Sequence, residues 1–182
     1  MRQRAILTVA ALALTSGCGS TGMGLSPDPP WHAIPGCPTV GGHQRITEGP
    51  KADTKTVDTA EKYGLSCHYG TPDKVTLVIS VMIDRTATDS AADHELSDQA
   101  ARKAGMLVLP LSGTGDRAMI IVDPAGKLQP NTTVHAETVS RNTIAYAQLY
   151  GLTPVRTDAD ANVHAPALAT ALNETLKILR PA

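Results

Sequence analysis

The chain has 182 residues, with 16 basic and 17 acidic side chains and a formal net charge of −1. This balance argues against the basic surface that nucleic-acid binding requires. Aromatic residues make up only 3% of the chain, with four Tyr, one Trp and no Phe, which disfavours a site that stacks rings on sugars or bases.

The N-terminus has the pattern of a secretory signal. Arg2 and Arg4 are followed by a run without charge, Ala5 to Leu14, and then by small residues up to Cys18. The apolar run is too short to cross a bilayer as a helix, because a spanning helix takes roughly 20 residues.

The small residues Thr15 to Gly17, directly before Cys18, resemble the lipobox of bacterial lipoproteins, in which the cysteine becomes the first residue of the mature chain. The match departs from the commonest pattern, because Leu14 stands four residues before the cysteine rather than three. The resemblance implies a signal peptide over residues 1–17 and a lipid on Cys18 with acyl chains such as palmitate. Two acyl chains hold a protein stably on a membrane. The alternative is a plain secreted protein in which Cys18 is incidental.

Residues 18–36 are rich in Gly, Pro and Ser, which predicts a flexible tether ahead of a globular domain over residues 37–182. We expect Trp31, within this segment, to pack on the edge of the domain where the chain enters the fold. A contact of Trp31 with a membrane or a partner is the alternative.

Three cysteines are present, and lipidation of Cys18 would leave Cys37 and Cys67 as one pair. In an oxidising compartment such a pair predicts a disulfide, which would add roughly 3 kcal/mol of stability through loop closure. The rival interpretation is a metal site that combines these cysteines with histidines. Because no CxxC, HxxxH or HExxH spacing occurs, we expect neither a metal nor another cofactor.

Hydrophobic periodicity and turn residues predict an α+β fold. The predicted elements are a short helix over Asp53–Leu65, a strand over Val75–Asp84, a helix over Thr88–Ala104, strands over Met106–Leu111 and Arg117–Val122, a hairpin over Thr132–Tyr150 that turns at Arg141-Asn142, and a helix within Asn162–Leu179 that starts near Ala165. We expect a single domain in which a largely antiparallel β-sheet packs against two or three helices.

The two long helices have different apolar faces. The face of the earlier helix is narrow and is made of Ala92, Leu96, Ala100 and Ala104, which predicts a helix on the outside of the sheet. The apolar face of the last helix is stronger and consists of Val163, Leu168, Leu172, Leu176 and Leu179.

The order of these features resembles a family of actinobacterial cell-envelope lipoproteins of unknown function. The matching positions are Cys37, Cys67-His68-Tyr69, the turn Gly113 to Ala118, and the helix that ends at Leu179. The chain has Cys-His-Tyr where the family often has Cys-x-Trp. The resemblance implies a lipid-anchored domain on the extracytoplasmic face of the cell membrane, and it implies no catalytic residue.

Few residues suggest a functional site. The segment Gly113 to Asp116 indicates a tight turn rather than a phosphate loop, because it lacks the phosphate-loop spacing and precedes a strand. We expect His94 to lie on a solvated helix surface, with a metal site or a pH response as the alternative. Asp84 ends the strongest strand and is the carboxylate best placed for a cleft, although an ion pair at the loop edge explains it equally well.

The leading functional hypothesis is a non-enzymatic, lipid-anchored module that binds an envelope protein or a small ligand, and not nucleic acid. The first alternative is an enzyme or accessory factor acting on envelope polymers. Its candidate carboxylates and cleft tyrosines are Asp84, Asp116, Asp123, Tyr69, Tyr146 and Tyr150. The second alternative is a regulatory lipoprotein for a membrane sensor.

Overall fold

A computed structural model describes residues 29–40, 57–71, 74–87 and 90–181. The elements in chain order are β1 Trp31–Ala33, β2 Val57–Asp58, β3 Lys62–Thr71, β4 Lys74–Asp84, α1 Ala91–Lys103, β5 Leu107–Pro110, β6 Arg117–Val122, β7 Val134–Ser140, β8 Thr143–Leu149, α2 Asp158–Asn162, α3 Ala165–Lys177 and β9 Arg180–Pro181.

Seven of the strands form one sheet in the order β2-β3-β4-β8-β7-β6-β5, and β1 pairs with β9 in a second, two-stranded sheet. Every neighbouring pair in both sheets is antiparallel. The predicted α+β fold, a largely antiparallel sheet with three helices, is therefore confirmed.

Helix α3 covers one face of the large sheet, where it packs on β7 and β8. Leu168 and Leu172 are completely buried against small strand residues such as Ala145 and Ala147. The small residues let the helix approach the sheet closely. The predicted helix start near Ala165 is confirmed, but Val163 is 75% exposed and does not belong to the apolar face.

Helix α1 lies on the opposite face of the sheet, over β5, β6 and β7. Its outer position agrees with the prediction, but its orientation does not. Leu96 is 63% exposed, whereas His94 and Ala101 are buried. Ala101 packs on Met119 and Ile121 of β6. The predicted apolar face therefore points to solvent, and a partly polar face meets the sheet.

The predicted helix over Asp53–Leu65 is wrong for the part that the structure describes, and Asp53 to Thr56 lie outside it. Val57–Asp58 and Lys62–Thr71 form strands β2 and β3. Side chains alternate along β3, with Tyr63, Leu65, Cys67 and Tyr69 buried at every second position. A period of two fits a strand with one covered face and does not fit a helix.

The turn before β6 depends on two glycines in the left-handed region, Gly113 with φ 73° and Gly115 with φ 56°. A side chain at Gly113 would meet nothing within 4 Å. A Cβ at Gly115 would overlap the hydroxyl of Thr138 and lie 2.5 Å from the carbonyl oxygen of Val139. The predicted tight turn is confirmed, and it packs closely on β7 only at its second glycine.

The chain enters the fold at Trp31, within the segment expected to be a tether. The side chain of Asn142 accepts a hydrogen bond from the Trp31 N–H at 2.7 Å and donates one to the Trp31 carbonyl at 2.9 Å. The guanidinium of Arg141 lies 4.1 Å from the centre of the indole ring. Trp31 packs against the core, as expected for a ring at the domain edge, so residues before Cys37 contribute to the fold.

Candidate functional site

Glu137 is a fully buried carboxylate in the middle of the large sheet, with only 1% of its surface exposed. It lies on β7, directly opposite Met119 of β6 and Tyr146 of β8, so these three side chains share the face that α1 partly covers. A buried carboxylate is costly unless hydrogen-bond donors or a positive charge compensate it. The surroundings of Glu137 must therefore supply donors.

Helix α1 supplies one donor to each carboxylate oxygen. His94 Nδ1 lies 2.8 Å from Glu137 Oε1, and the hydroxyl of Ser97 donates to Oε2 at 2.7 Å. His94 and Ser97 are three residues apart, which places them on the same side of the helix. Because Nδ1 of the ring faces the carboxylate, Nε2 is left for another partner.

The expectation that His94 lies on a solvated surface is wrong, because His94 is 7% exposed. The polar partner that draws it inward, Glu137, stands 43 residues further along the chain. Neither Glu137 nor Ser97 was predicted as a site residue. The available signal was the i, i+3 spacing of a histidine and a serine on a helix beside an apolar hairpin that contains one glutamate.

Burial shifts the pKa of two side chains that neighbour Glu137 in the sheet, His135 and Tyr146. The rings of His135 and Tyr146 lie 5.3 Å apart, centroid to centroid. Burial lowers the pKa of His135 to about 4. Burial, followed by the negative charge of Glu137, raises the pKa of Tyr146 to about 12. Both side chains are neutral near pH 7, so the charges of the site come from α1, β6 and β7.

A cleft of about 420 Å³ lies between α1 and strands β5 and β6. This volume falls in the range of small-molecule sites, about 300 to 1,000 Å³. The buried His94 is one of its lining residues. The residues that line it are His94, Glu95, Asp98, Arg102, Val108, Leu109, Pro110, Arg117, Ala118 and Met119. The cleft therefore combines an apolar wall, two acids, two arginines and an imidazole held by a buried carboxylate.

The three acids proposed for an enzyme do not form one group. Asp84 and Asp116 lie at the β7–β8 turn, where the Asp84 N–H donates to the carbonyl of Asn142 and the Arg141 N–H donates to Asp116 Oδ2. Asp123 follows the other end of β6. The structure thus places Asp123 at the opposite end of the sheet from the other two.

Each of two acids also has a structural role. Asp123 accepts backbone hydrogen bonds from four residues of the following loop, and these bonds, that of Leu128 first, lower its pKa. The hydroxyl and the N–H of Thr86 lower the pKa of Asp84 in the turn after β4. Both carboxylates stabilise loops.

The proposed tyrosine cleft is not formed either. Tyr69 is 1% exposed in the core under α3, where its hydroxyl donates to the carbonyl of Pro38. Tyr146 lies on the other face of the sheet beside Glu137, and the Tyr150 hydroxyl donates to Gln148 Oε1. The three tyrosines therefore do not line a common site.

Cys37 and Cys67 lie at disulfide distance, with their Cα atoms 5.7 Å apart. The pair joins the segment that enters the fold to strand β3. Cys18, the signal peptide and most of the expected tether lie outside the described residues.

Within the described ranges, no group of three or more His, Cys, Asp and Glu side chains could hold a metal ion. No helix in the same ranges has the length and apolarity needed to cross a membrane.

No protein-family model, curated protein or solved structure matches the chain. The resemblance to cell-envelope lipoproteins therefore stays a prediction from the sequence, and the site must be interpreted from its own geometry.

Proposed function

We propose that the chain is a lipid-anchored extracytoplasmic binding module that takes a small ligand in the cleft between α1 and β6. The observation that carries the binding role is the buried His94, which lines this cleft and whose Nδ1 lies 2.8 Å from the buried carboxylate of Glu137. Clefts lined by apolar side chains and a few polar groups are the default candidates for binding sites.

Stability alone does not account for this pair. Replacing a buried ion pair by well-packed apolar residues is often neutral or stabilising, so a fold under selection for stability has little need of one. The pair holds the Nδ1 edge of the imidazole in a fixed position beside Glu137, while His94 lines the cleft. A polar group fixed in this way can orient a ligand without rearranging.

The location part of the proposal depends on Cys18. A diacylglycerol thioether and a further acyl chain on this residue would anchor the chain. Cys18 and Trp31 are separated by a stretch that spans at most about 45 Å when fully extended. The anchored domain would thus stay within about that distance of the membrane. The Cys37–Cys67 pair supports an oxidising compartment.

Cell fractionation tests the anchor. The wild-type protein is expected in the membrane fraction, and Cys18→Ser is expected either in the soluble fraction or as the unprocessed precursor. Cys18→Ser protein of mature size in the membrane fraction would contradict the anchor.

Native mass spectrometry of protein gently extracted from membranes tests binding. We expect a small-molecule adduct on the wild type that is lost from Glu137→Leu, because leucine has no acceptor for His94 Nδ1–H and therefore does not fix the ring. The matched control is Glu61→Leu, which changes an exposed glutamate outside the cleft. A wild type without an adduct, or equal adducts on all three proteins, would overturn the assignment of the cleft.

A further inference from the structure

We infer that the ligand of this cleft is a zwitterion with an apolar side chain, an α-amino acid or a short peptide. The inference rests on the proposed function, because it names the class of molecule that the proposed binding site would take.

The charges that line the cleft decide the class. Arg102 Nε lies 2.7 Å from Asp98 Oδ1, so these two side chains neutralise each other. Among the described residues, the Arg117 side chain has no acidic partner and Glu95 has no basic partner. The cleft therefore presents one positive and one negative charge that no ion pair in the described part of the chain neutralises, although Gln99 donates a hydrogen bond to Glu95 Oε1 at 3.4 Å.

A ligand that matches both charges carries an anionic and a cationic group. Arg117, at the start of β6, presents a planar guanidinium, which pairs with a carboxylate through two parallel hydrogen bonds. Glu95, on α1, is suited to an ammonium group. Inorganic phosphate matches only the arginine, and Glu95 would repel it.

The apolar wall accounts for the remainder of the ligand. Val108 is half-buried and Met119 is 4% exposed, and both belong to the apolar cluster beneath α1. An aliphatic side chain placed there would remove apolar surface from water, and each buried methylene favours binding. His94 Nε2 has no partner among the described residues and remains able to hydrogen-bond a polar atom of the ligand.

The test is an NMR titration of the full folded domain with five probes: L-leucine, the dipeptide Leu-Leu, N-acetyl-leucine, leucinamide and inorganic phosphate. We expect leucine or the dipeptide to shift the amide signals of Ala118 and Met119 in a saturable way. N-acetyl-leucine lacks the ammonium and leucinamide lacks the carboxylate, so each is expected to bind about ten- to a hundredfold more weakly. A stronger response to the dipeptide than to leucine identifies a peptide end, and the reverse identifies a free amino acid.

Variants assign the contacts. Arg117→Gln is expected to weaken binding of the best probe about tenfold or more and to remove its preference over leucinamide. Glu95→Gln is expected to remove its preference over N-acetyl-leucine. Arg156→Gln, an exposed arginine outside the cleft, is expected to bind as the wild type does.

The outcomes separate the two proposals. If phosphate or a capped probe binds the cleft as well as leucine does, the zwitterion inference is wrong while the cleft remains a binding site. If no probe shifts the cleft signals although the native protein carries an adduct, the zwitterion inference is also wrong. If saturable shifts map to another surface, both proposals fail.

Discussion

Removing His94 should destabilise the fold far more than the loss of an ordinary surface histidine. His94→Ala would leave Glu137, 1% exposed, with an unpaired Oε1 atom. Leaving a buried polar group without its partner costs about 1 to 3 kcal/mol, and more for a charged group. We therefore expect the free energy of unfolding to fall by about that amount in urea denaturation at pH 7, with the slope unchanged.

Replacing both partners separates a general packing effect from the specific pairing. The double variant His94→Leu/Glu137→Leu removes both polar groups and keeps similar volumes, so it should unfold within about 1 kcal/mol of the wild type. The matched control is Lys177→Ala, which removes an exposed pair with Glu174 and should cost less than about 0.5 kcal/mol.

Two results would refute this reasoning. The first is a loss below about 1 kcal/mol for His94→Ala, which would mean that the carboxylate is satisfied without the imidazole. The second is a double variant whose loss equals the sum of the two single losses, which would mean that the two residues are not coupled.

Three further predictions follow from the same structure. Replacing Cys37 and Cys67 by Ala should lower the urea stability by about 3 to 4 kcal/mol, the estimate for a closed loop of 30 residues, and a loss below about 1 kcal/mol would contradict the cross-link. Gly115→Ala should lower the free energy of unfolding by about 2 to 5 kcal/mol, because the alanine adds left-handed backbone strain and overlaps with β7. Gly113→Ala should lower it only by the strain of about 1 to 2 kcal/mol. Equal losses of stability in the two variants would contradict the close packing of Gly115. Burial lowers the pKa of His135 from 6.5 to about 4, so the unfolded chain binds this proton before the folded chain does as the pH falls. About 3 kcal/mol of stability should therefore be lost between pH 6.5 and 4. His135→Gln should remove this part of the dependence of stability on pH, and an unchanged dependence would disprove the assignment.

Local sequence patterns predicted the elements that pack against segments close to them in the chain. The hairpin of β7 and β8, with its turn at Arg141-Asn142, follows from alternating apolar residues around a turn, and helix α3 follows from leucines at helical spacing. In both cases the buried face is apolar, so the periodicity of hydrophobic residues is sufficient.

The first four residues of strand β3, Lys62 to Leu65, were predicted as the end of a helix although the pattern of the strand was informative. Tyr63, Leu65, Cys67 and Tyr69 alternate with more exposed positions, which is the period of a strand. The strand signal was weak because two of these positions are tyrosines and one is a cysteine. A simple count of aliphatic side chains gives such residues too little weight.

The candidate site could not be predicted from local patterns, because its central contact is a long-range polar one. The face of α1 was assigned to alanines and Leu96, yet the buried face includes His94, which pairs with Glu137 of β7. A helix adopts the orientation in which the buried polar groups beneath it have hydrogen-bond partners. A single sequence does not show which strand lies beneath the helix.

The most direct test of the account is mass spectrometry of the mature N-terminus in protein isolated from cells. The account predicts that the chain begins at Cys18 and that this residue carries the mass of a diacylglycerol and an additional acyl group. A mature chain that starts at another residue, or a Cys18 without lipid, would contradict it.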